Sequence, residues 1–366
     1  MKETKRICRD CGCLCTSTDT HVNPGFSDEG YVCPDCIRSG YFRCSHCGEY
    51  YSEQYLWASD SNFTVCSHCS SLYEICEDCS EIVFNTNAHY HNGYHYCECC
   101  YDDIVRDSLS NLIEDYGYKP VPFFLGESAD NLYLGVELEV DNGNPFEAAS
   151  IIADKFTDVY LKRDGSLETG FEIVSHPATL HYHKYKLNWE YIMNTCSENR
   201  MKSHDTSTCG LHCHVSRAFF GGTSDEQDLH IAKLILLVNK FWDNYIVPFS
   251  RRNIAQLDRW ASKPNVNILD TDTEEEIIDK VKDTRYKGRY QGINLENCST
   301  IEFRIFRGTL NHNTFIATLQ FVDCICRFAK AMKLSDIYTV NWSDLFSGKE
   351  RTYPELMEYL KLKHLI

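Results

Sequence analysis

The chain has 366 residues, of which 43% are hydrophobic and 24% are charged. This balance predicts a folded protein of one large or two medium domains and excludes a largely disordered chain. The formal net charge of −17 argues against broad nucleic-acid binding, which requires a basic surface.

The sequence offers no segment for secretion or membrane insertion. The opening residues, MKETKRICRDC, contain no apolar signal region, and the most apolar helical stretch, residues 229–247, is interrupted by two lysines and an aspartate. We therefore expect a cytoplasmic protein without membrane spans.

Fifteen of the 21 cysteines lie within the first 100 residues, and twelve of these form six C-x-x-C pairs. The pairs are separated alternately by long and short intervals of 21, 7, 18, 6 and 17 residues, which indicates three repeats of one unit. Two such pairs can enclose one tetrahedral Zn²⁺ with four thiolates, as in a zinc ribbon or LIM-like module. The predicted zinc ligands of the three modules are Cys8, Cys11, Cys33 and Cys36; Cys44, Cys47, Cys66 and Cys69; and Cys76, Cys79, Cys97 and Cys100.

Two features of these modules stay open. In a cross-braced alternative the first pair shares its metal with the third. Cys13, Cys15 and Cys99 are left over, and each could replace a neighbouring ligand.

Residues 1–110 contain seven basic and seventeen acidic side chains, a balance of −10. We therefore expect the modules to dock a protein or peptide, or to support the following domain, rather than to bind DNA.

A helix and a linker separate the modules from the rest of the chain. Apolar residues near helical spacing predict a helix over 102–115, and Pro120 and Pro122 then impose extended backbone. The expected organisation is three Cys₄ modules at 1–104, a helix and linker at 105–130, and a catalytic domain at 131–366.

Four predicted strands carry polar residues two positions apart, so that these side chains lie on one face of each strand. Burying unpaired charges costs several kcal/mol each, so we interpret the shared face as a site for Mg²⁺ or Mn²⁺ and bound phosphate. The strands and their polar residues are 132–140 with Glu137 and Glu139, 170–174 with Glu172, 211–215 with His212 and His214, and 300–309 with Glu302 and Arg304.

Helices are predicted around these strands. They span 145–157, with Asn144 as the N-cap, then 225–247 and 313–332, and a last helix starts near Pro354. The stretch 260–280 is expected to be an exposed connection and helix without a chemical role. Cys209 and Cys213 are interpreted as structural thiols, because Cys213 should point away from the two histidines.

Several motifs resemble, in family order, those of the amidoligase family of carboxylate-amine ligases, which is grouped with glutamine synthetase and glutamate-cysteine ligase. The resemblance runs from about Tyr116 to Leu334 and implies an α+β fold, with a glutamine synthetase-like antiparallel sheet packed by helices. The motifs are GVELEV (135–140), KRDGSLETGFEIVSHP (162–177), CGLHCHVS (209–216), FSRR (249–252) and RYQGINLENCSTIEFRIFRGTLN (289–311).

The resemblance also implies a reaction: ATP-dependent, ADP-forming amide-bond formation through an acyl phosphate, on an amino-acid, peptide or protein substrate. By similarity to glutamine synthetase, one Mg²⁺ would be bound by Glu137, His212 and Glu302, and a second by Glu139 and Glu172. The expected ligands of the nucleotide phosphates are His214, Arg251, Arg252, Lys287, Arg289 and Arg304. Asp164 is a secondary candidate for binding the amine or a metal-bound water.

Three other functions stay open. A guanidino-kinase-like phosphotransferase would share this scaffold, and a metallohydrolase could use His212, His214 and the glutamates without nucleotide. The third is a non-enzymatic zinc-ribbon adaptor with an inactive ligase domain. The sequence does not specify the carboxylate, the amine or the oligomeric state.

Overall fold

A computed structural model describes residues 5–16, 21–22, 30–264, 266–269 and 272–366, with only the backbone described at 21, 22 and 106. The chain divides into two compact units, Met1–Ser108 and Leu109–Ile366. The helix Glu98–Leu112 spans this boundary in sequence. Within the described residues, no helix combines the length and apolar character needed to cross a membrane.

The described residues of the first unit form short antiparallel strand pairs, a helix at Pro34–Gly40, most of the helix Glu98–Leu112, and 3₁₀ turns at Glu53–Tyr55, Ser70–Leu72 and Asn85–Asn87. Its buried clusters are small and consist largely of cysteines and tyrosines. A unit with so small a core requires additional stabilisation, which metal cross-links can provide. The paired strands are Lys5–Ile7 with Leu14–Thr16, His21–Val22 with Tyr31–Val32, Tyr41–Arg43 with Tyr50–Ser52, Leu56–Ser59 with Thr64–Cys66, Tyr73–Ile75 with Ile82–Phe84, and His89–His91 with Tyr94–Tyr96.

In the second unit the described residues form a six-stranded sheet. Its order is β2-β3-β1-β4-β6-β5, and every neighbouring pair is antiparallel. The strands are β1 (Leu134–Val140), β2 (Val159–Lys162), β3 (Phe171–Ser175), β4 (Gly210–Ser216), β5 (Ile293–Asn294) and β6 (Thr300–Arg307).

Helices are interspersed among these strands, and the combination of helices with an antiparallel sheet is consistent with the predicted α+β class. A π-helical segment, Trp242–Ile246, connects α4 to α5, and 3₁₀ turns occupy Arg217–Phe219, Asp283–Lys287, Leu334–Tyr338 and Trp342–Phe346. The helices are α1 (Pro145–Lys155), α2 (Leu180–Tyr185), α3 (Trp189–Glu198), α4 (Ser224–Phe241), α5 (Val247–Ser250), α6 (Ile254–Trp260), α7 (Glu274–Lys282), α8 (His312–Ala331) and α9 (Pro354–Leu362).

One face of the sheet packs against a single apolar core. Leu134, Val136, Leu138 and Val140 of β1 are all fully buried, and they belong to the same cluster as the inward residues of α4 and α8. Because side chains alternate along a strand, Glu137 and Glu139 project from the opposite face. The core therefore fixes which face of the sheet carries the polar residues.

The structure adjusts several predicted boundaries. The helix predicted over 102–115 begins at Glu98, because the last C-x-x-C pair leads directly into its first turn. The helix predicted over 145–157 ends at Lys155, and the Asn144 side chain caps it by accepting from the backbone N–H of Glu147. The predicted 225–247 helix leaves α-helical geometry after Phe241.

Candidate active site

The polar faces of four strands meet at one cleft of about 1050 Å³, here called the carboxylate cleft. Strand register places Glu139 opposite Glu172, Glu137 opposite His212, and His214 opposite Glu302. A bulge between Leu211 and Cys213 shifts the register between β4 and β6. The lining residues are Asp115, Tyr116, Lys119, Glu137, Glu139, Lys162, Arg163, Asp164, Gly165, Ser166, Glu172, Thr208, His212, His214, Arg252, Arg259, Trp260, Arg289, Tyr290, Asn294, Glu296, Asn297, Glu302 and Arg304.

Glu137, His212 and Glu302 form a compact group in this cleft. Nδ1 of His212 lies 3.2 Å from Oε2 of Glu137 and 3.6 Å from Oε1 of Glu302. One potential ligand atom from each residue lies within 4.8 Å of the other two. Two carboxylates and one imidazole at these separations are a suitable donor set for Mn²⁺ or Mg²⁺.

Glu139 and Glu172 form a second carboxylate pair, and both are about 95% buried. Burial, together with the charges of Glu137, Glu139 and Asp164, raises the pKa of Glu172 to about 9, although Lys162 opposes the shift. Burial likewise raises the pKa of Glu139, against the opposing effect of His212. A bound divalent cation would offset the cost of ionising both carboxylates.

The two histidines lower the pKa values of Glu137 and Glu302. Burial opposes the ionisation of Glu137, but His214 and His212 outweigh it and hold the pKa of Glu137 well below its usual range. Burial also opposes ionisation of Glu302, yet His214 and Arg304 lower its pKa. Burial disfavours the charged form of His214. Oε1 of Glu137 lies 3.2 Å from Nε2 of His214, and this carboxylate outweighs burial and raises the pKa of His214 to about 9.

Cationic side chains share the cleft with these carboxylates. Nη1 of Arg304 donates to Oε1 of Glu302, and Asn294 donates to the other oxygen at 2.9 Å. Burial lowers the pKa of Arg252, a 6% exposed residue, to about 10.

Two of these arginines carry unused donors. Among the described residues, the buried Nε atoms of Arg252 and Arg304 have no hydrogen-bond partner. Such donors fit an anion with several acceptor oxygens, such as phosphate.

The cleft brings together most, but not all, of the predicted site residues. Arg251 and Lys287 do not line it. Arg251 has a left-handed backbone conformation (φ 65°), and its guanidinium donates to the Arg307 carbonyl in a separate cavity of about 630 Å³. Lys287 is exposed at the end of a 3₁₀ turn. The predicted residues that line the cleft are Glu137, Glu139, Asp164, Glu172, His212, His214, Arg252, Arg289, Glu302 and Arg304.

Some lining residues were not predicted from the sequence. Lys162 was given no role of its own within the 162–177 motif, but it ends β2 opposite Glu172, and its Nζ lies 4.0 Å from Oε2 of that glutamate. Arg259 and Trp260 were given no role, but both line the cleft, and Trp260 begins the stretch that was expected to have no chemical role. Their position depends on a bridge between Ser262 and Gln291, for which the sequence has no local signal.

In the first unit the C-x-x-C pairs group in sequential order. The sulfurs of Cys8, Cys11, Cys33 and Cys36 lie within 4.8 Å of one another, and the corresponding groups of the second and third modules are equally compact. The cross-braced alternative is not adopted by the described cysteines. Four sulfurs at these separations could hold a metal ion, and Zn²⁺ suits such a set.

One family model matches part of the second unit. A family model described as "putative amidoligase enzyme" matches residues 157–326. The matched segment includes Glu172, both histidines, Arg252, Glu302 and Arg304, whereas Glu137 and Glu139 precede it. The match indicates a ligase-type enzyme that forms amide bonds. A search of curated proteins found no match.

Proposed function

We propose that the protein is an ATP-dependent, ADP-forming carboxylate-amine ligase. The observation that carries this proposal is a single cleft in which four glutamates and two histidines of the sheet lie beside two arginines whose buried Nε donors are unused. Acidic ligands suit divalent metal ions, and the arginines suit the phosphates that such ions accompany. The match to the putative amidoligase family supports amide-bond formation as the reaction.

The residues divide by chemistry into metal ligands and phosphate ligands. Glu137, His212 and Glu302 would hold one Mg²⁺ or Mn²⁺, and Glu139 and Glu172 a second. Bound metal ions would neutralise phosphate charge during transfer. The expected phosphate ligands in the cleft are His214, Arg252, Arg289 and Arg304.

The proposed reaction has two steps. An oxygen of the substrate carboxylate attacks the γ-phosphorus of ATP, the bond to the bridging oxygen breaks, and ADP leaves with an acyl phosphate remaining. The amine nitrogen then attacks the acyl carbon, inorganic phosphate leaves, and the nitrogen loses a proton. Arg252 and Arg304 are suited to stabilise the charge on the transferred group. Asp164 lines the same cleft and would bind the amine.

The first unit would serve this reaction indirectly. We assign one structural Zn²⁺ to each of its Cys₄ groups, because four thiolates per ion match the tetrahedral preference of zinc. Its acidic balance of −10 over residues 1–110 favours docking of a peptide or protein substrate over nucleic acid.

Trapping with hydroxylamine tests the acyl phosphate. The zinc-loaded full chain is incubated with Mg²⁺, ATP, hydroxylamine and a pool of amino acids and short peptides. We expect ADP and an acyl hydroxamate from the wild type and from Glu198→Gln, an exposed helix position, but neither from Glu302→Gln.

The other outcomes distinguish the rival functions. ADP formation without hydroxamate, with a phosphorylated nitrogen, would assign a guanidino-kinase-like activity instead. Turnover of the pool without nucleotide would assign a hydrolase. No reaction in any arm would contradict the ligase assignment.

A further inference from the structure

The first module contains more sulfur than one tetrahedral zinc ion can bind. Beside the group of Cys8, Cys11, Cys33 and Cys36 lie two further thiols, from Cys13 and Cys15. The sulfurs of Cys13 and Cys15 are 3.4 Å apart, and together with Cys33 they form a second compact group.

The two groups share Cys33, and Cys11 of the first group lies beside it. The sulfurs of Cys11 and Cys33 are 3.6 Å apart, and the sulfurs of Cys13 and Cys33 lie within 4.8 Å of each other. Two thiolates on one tetrahedral zinc, each bound at ~2.3 Å, lie roughly 3.8 Å apart. The described sulfur separations are therefore close to those of a contiguous metal-thiolate cluster.

Six thiolates can complete two tetrahedral zinc ions when two of the sulfurs bridge. We propose that this module binds a binuclear zinc cluster, in which Cys8 and Cys36 are terminal ligands of one ion and Cys13 and Cys15 are terminal ligands of the other. Cys11 and Cys33 are the bridging ligands. Binding of the second ion converts the thiols of Cys13 and Cys15 to thiolates and releases one proton from each.

The other two modules provide an internal comparison for Cys13. In each module the first cysteine donates its backbone N–H to the residue five positions later: Cys8 to Cys13, Cys44 to Glu49, and Cys76 to Glu81. These hydrogen bonds align Cys13 with two glutamates. Cys13 is exposed, so packing alone does not require a thiol there.

The same alignment places Cys15 at the position of Tyr51 and Val83. The Tyr51 hydroxyl lies 3.7 Å from the sulfur of Cys47, so a side chain at this position reaches the metal ligands. Cys15 presents a thiol there, and Val83 does not. The second metal ion is accordingly specific to the first module, and the protein binds four zinc ions in all.

Metal counting tests the stoichiometry. Native mass spectrometry of the zinc-loaded full chain is expected to give four zinc ions per wild-type chain, and three for the double variant Cys13→Ser/Cys15→Ser. Cys298→Ser, which removes an exposed thiol of the second unit, should retain four. Three ions in the wild type, or four in the double variant, would overturn the proposal.

Two further measurements cover misfolding and bridging. Cys15 is buried, so the exposed single variant Cys13→Ser is examined in parallel, and it should lose one ion while the hydrogen-exchange protection of residues 30–36 is retained. In the cadmium-substituted wild type, ¹¹³Cd NMR should correlate two cadmium signals with the β-protons of both Cys11 and Cys33. Four bound ions without any shared cysteine would refute the bridged cluster, as would a Cys13→Ser variant with no metal loss.

Discussion

Arg251 and Arg252 are adjacent in sequence but lie in different cavities. The left-handed conformation of Arg251 separates the two side chains, so that Arg252 lines the carboxylate cleft while Arg251 contacts the Arg307 carbonyl and the Thr318 hydroxyl. A non-glycine residue at positive φ is uncommon and has no simple sequence signature. The pair therefore permits a comparison in which charge and sequence position are nearly matched.

We expect Arg252→Gln to reduce activity and Arg251→Gln to reduce stability. Loss of the Arg252 charge should reduce kcat/KM for ATP by roughly 10²-fold, because a fixed donor to the transferred phosphate is removed. Arg251→Gln should leave the KM for ATP unchanged and lower the free energy of unfolding by about 1–3 kcal/mol, because it leaves a carbonyl group unpaired. Steady-state kinetics and urea titrations measure both quantities. The reverse pattern would assign Arg251 to the nucleotide site.

The buried carboxylate of Glu172 predicts a link between metal binding and stability. Divalent metal at 100 times its Kd should stabilise the wild type by about 2.7 kcal/mol, or roughly 5–10 °C in Tm. Glu172→Gln removes a proposed ligand and should lose most of this shift, whereas Glu198→Gln should keep it. Thermal melts with and without Mn²⁺ measure the shift, and an equal shift in all three proteins would contradict the metal assignment.

At the scale of elements, strand pattern was predictable and long-range pairing was not. The alternation of apolar and acidic residues around Glu137 and Glu139 predicted both the strand and its polar face, because side chains alternate along extended backbone. The two-residue strand β5 is too short to show such a pattern, yet it places Asn294 against Glu302. Arg259 and Trp260 reach the cleft through a bridge between residues 29 positions apart, Ser262 and Gln291. Sequence periodicity contains no information about that pairing.

The packing of α2 against the sheet depends on a fully buried histidine. Nε2 of His183 lies 2.9 Å from the Leu134 carbonyl, to which it donates, and Nδ1 accepts from Trp189 at 3.1 Å. Burial lowers the pKa of His183 to about 4, although the bond to Leu134 favours the charged form. The folded protein therefore keeps this imidazole neutral at a pH where the unfolded chain protonates it.

His183 should make stability fall in acid. Above the unfolded pKa of ~6.5 neither the folded nor the unfolded protein binds the proton. Between pH ~6.5 and ~4 only the unfolded protein binds it, so the free energy of unfolding decreases by ~1.4 kcal/mol for each unit by which the pH falls. Denaturant titrations at pH 7 and pH 5 should show a decrease about 2 kcal/mol larger in the wild type than in His183→Gln. Glutamine keeps a donor and an acceptor but does not titrate. Equal decreases in the two proteins would exclude this role for His183.

For the whole molecule, the two units differ in what stabilises them. The second unit has one large apolar core, whereas the first has small clusters built around cysteines, whose regular C-x-x-C spacing allowed their grouping to be predicted from sequence. Small metal-stapled units lose their fold when the metal is removed. The two units should therefore respond differently to a chelator.

We expect a strong zinc chelator to unfold the first unit only. Hydrogen exchange followed by mass spectrometry should show loss of protection over the described segments of residues 30–96, with protection of α4 and α8 retained. Re-addition of Zn²⁺ should restore the lost protection. Unchanged protection in the first unit after complete zinc removal would show that its fold does not depend on metal.

The carboxylate cleft is proposed to couple ATP cleavage to a carboxylate substrate. The most direct measurement is ADP release by the zinc-loaded protein with Mg²⁺, in the presence and absence of pooled amino acids and peptides, for the wild type and Glu137→Gln. We expect ADP release that requires both the carboxylate pool and Glu137. Absence of nucleotide binding and turnover in the wild type, or equal turnover in Glu137→Gln, would contradict it.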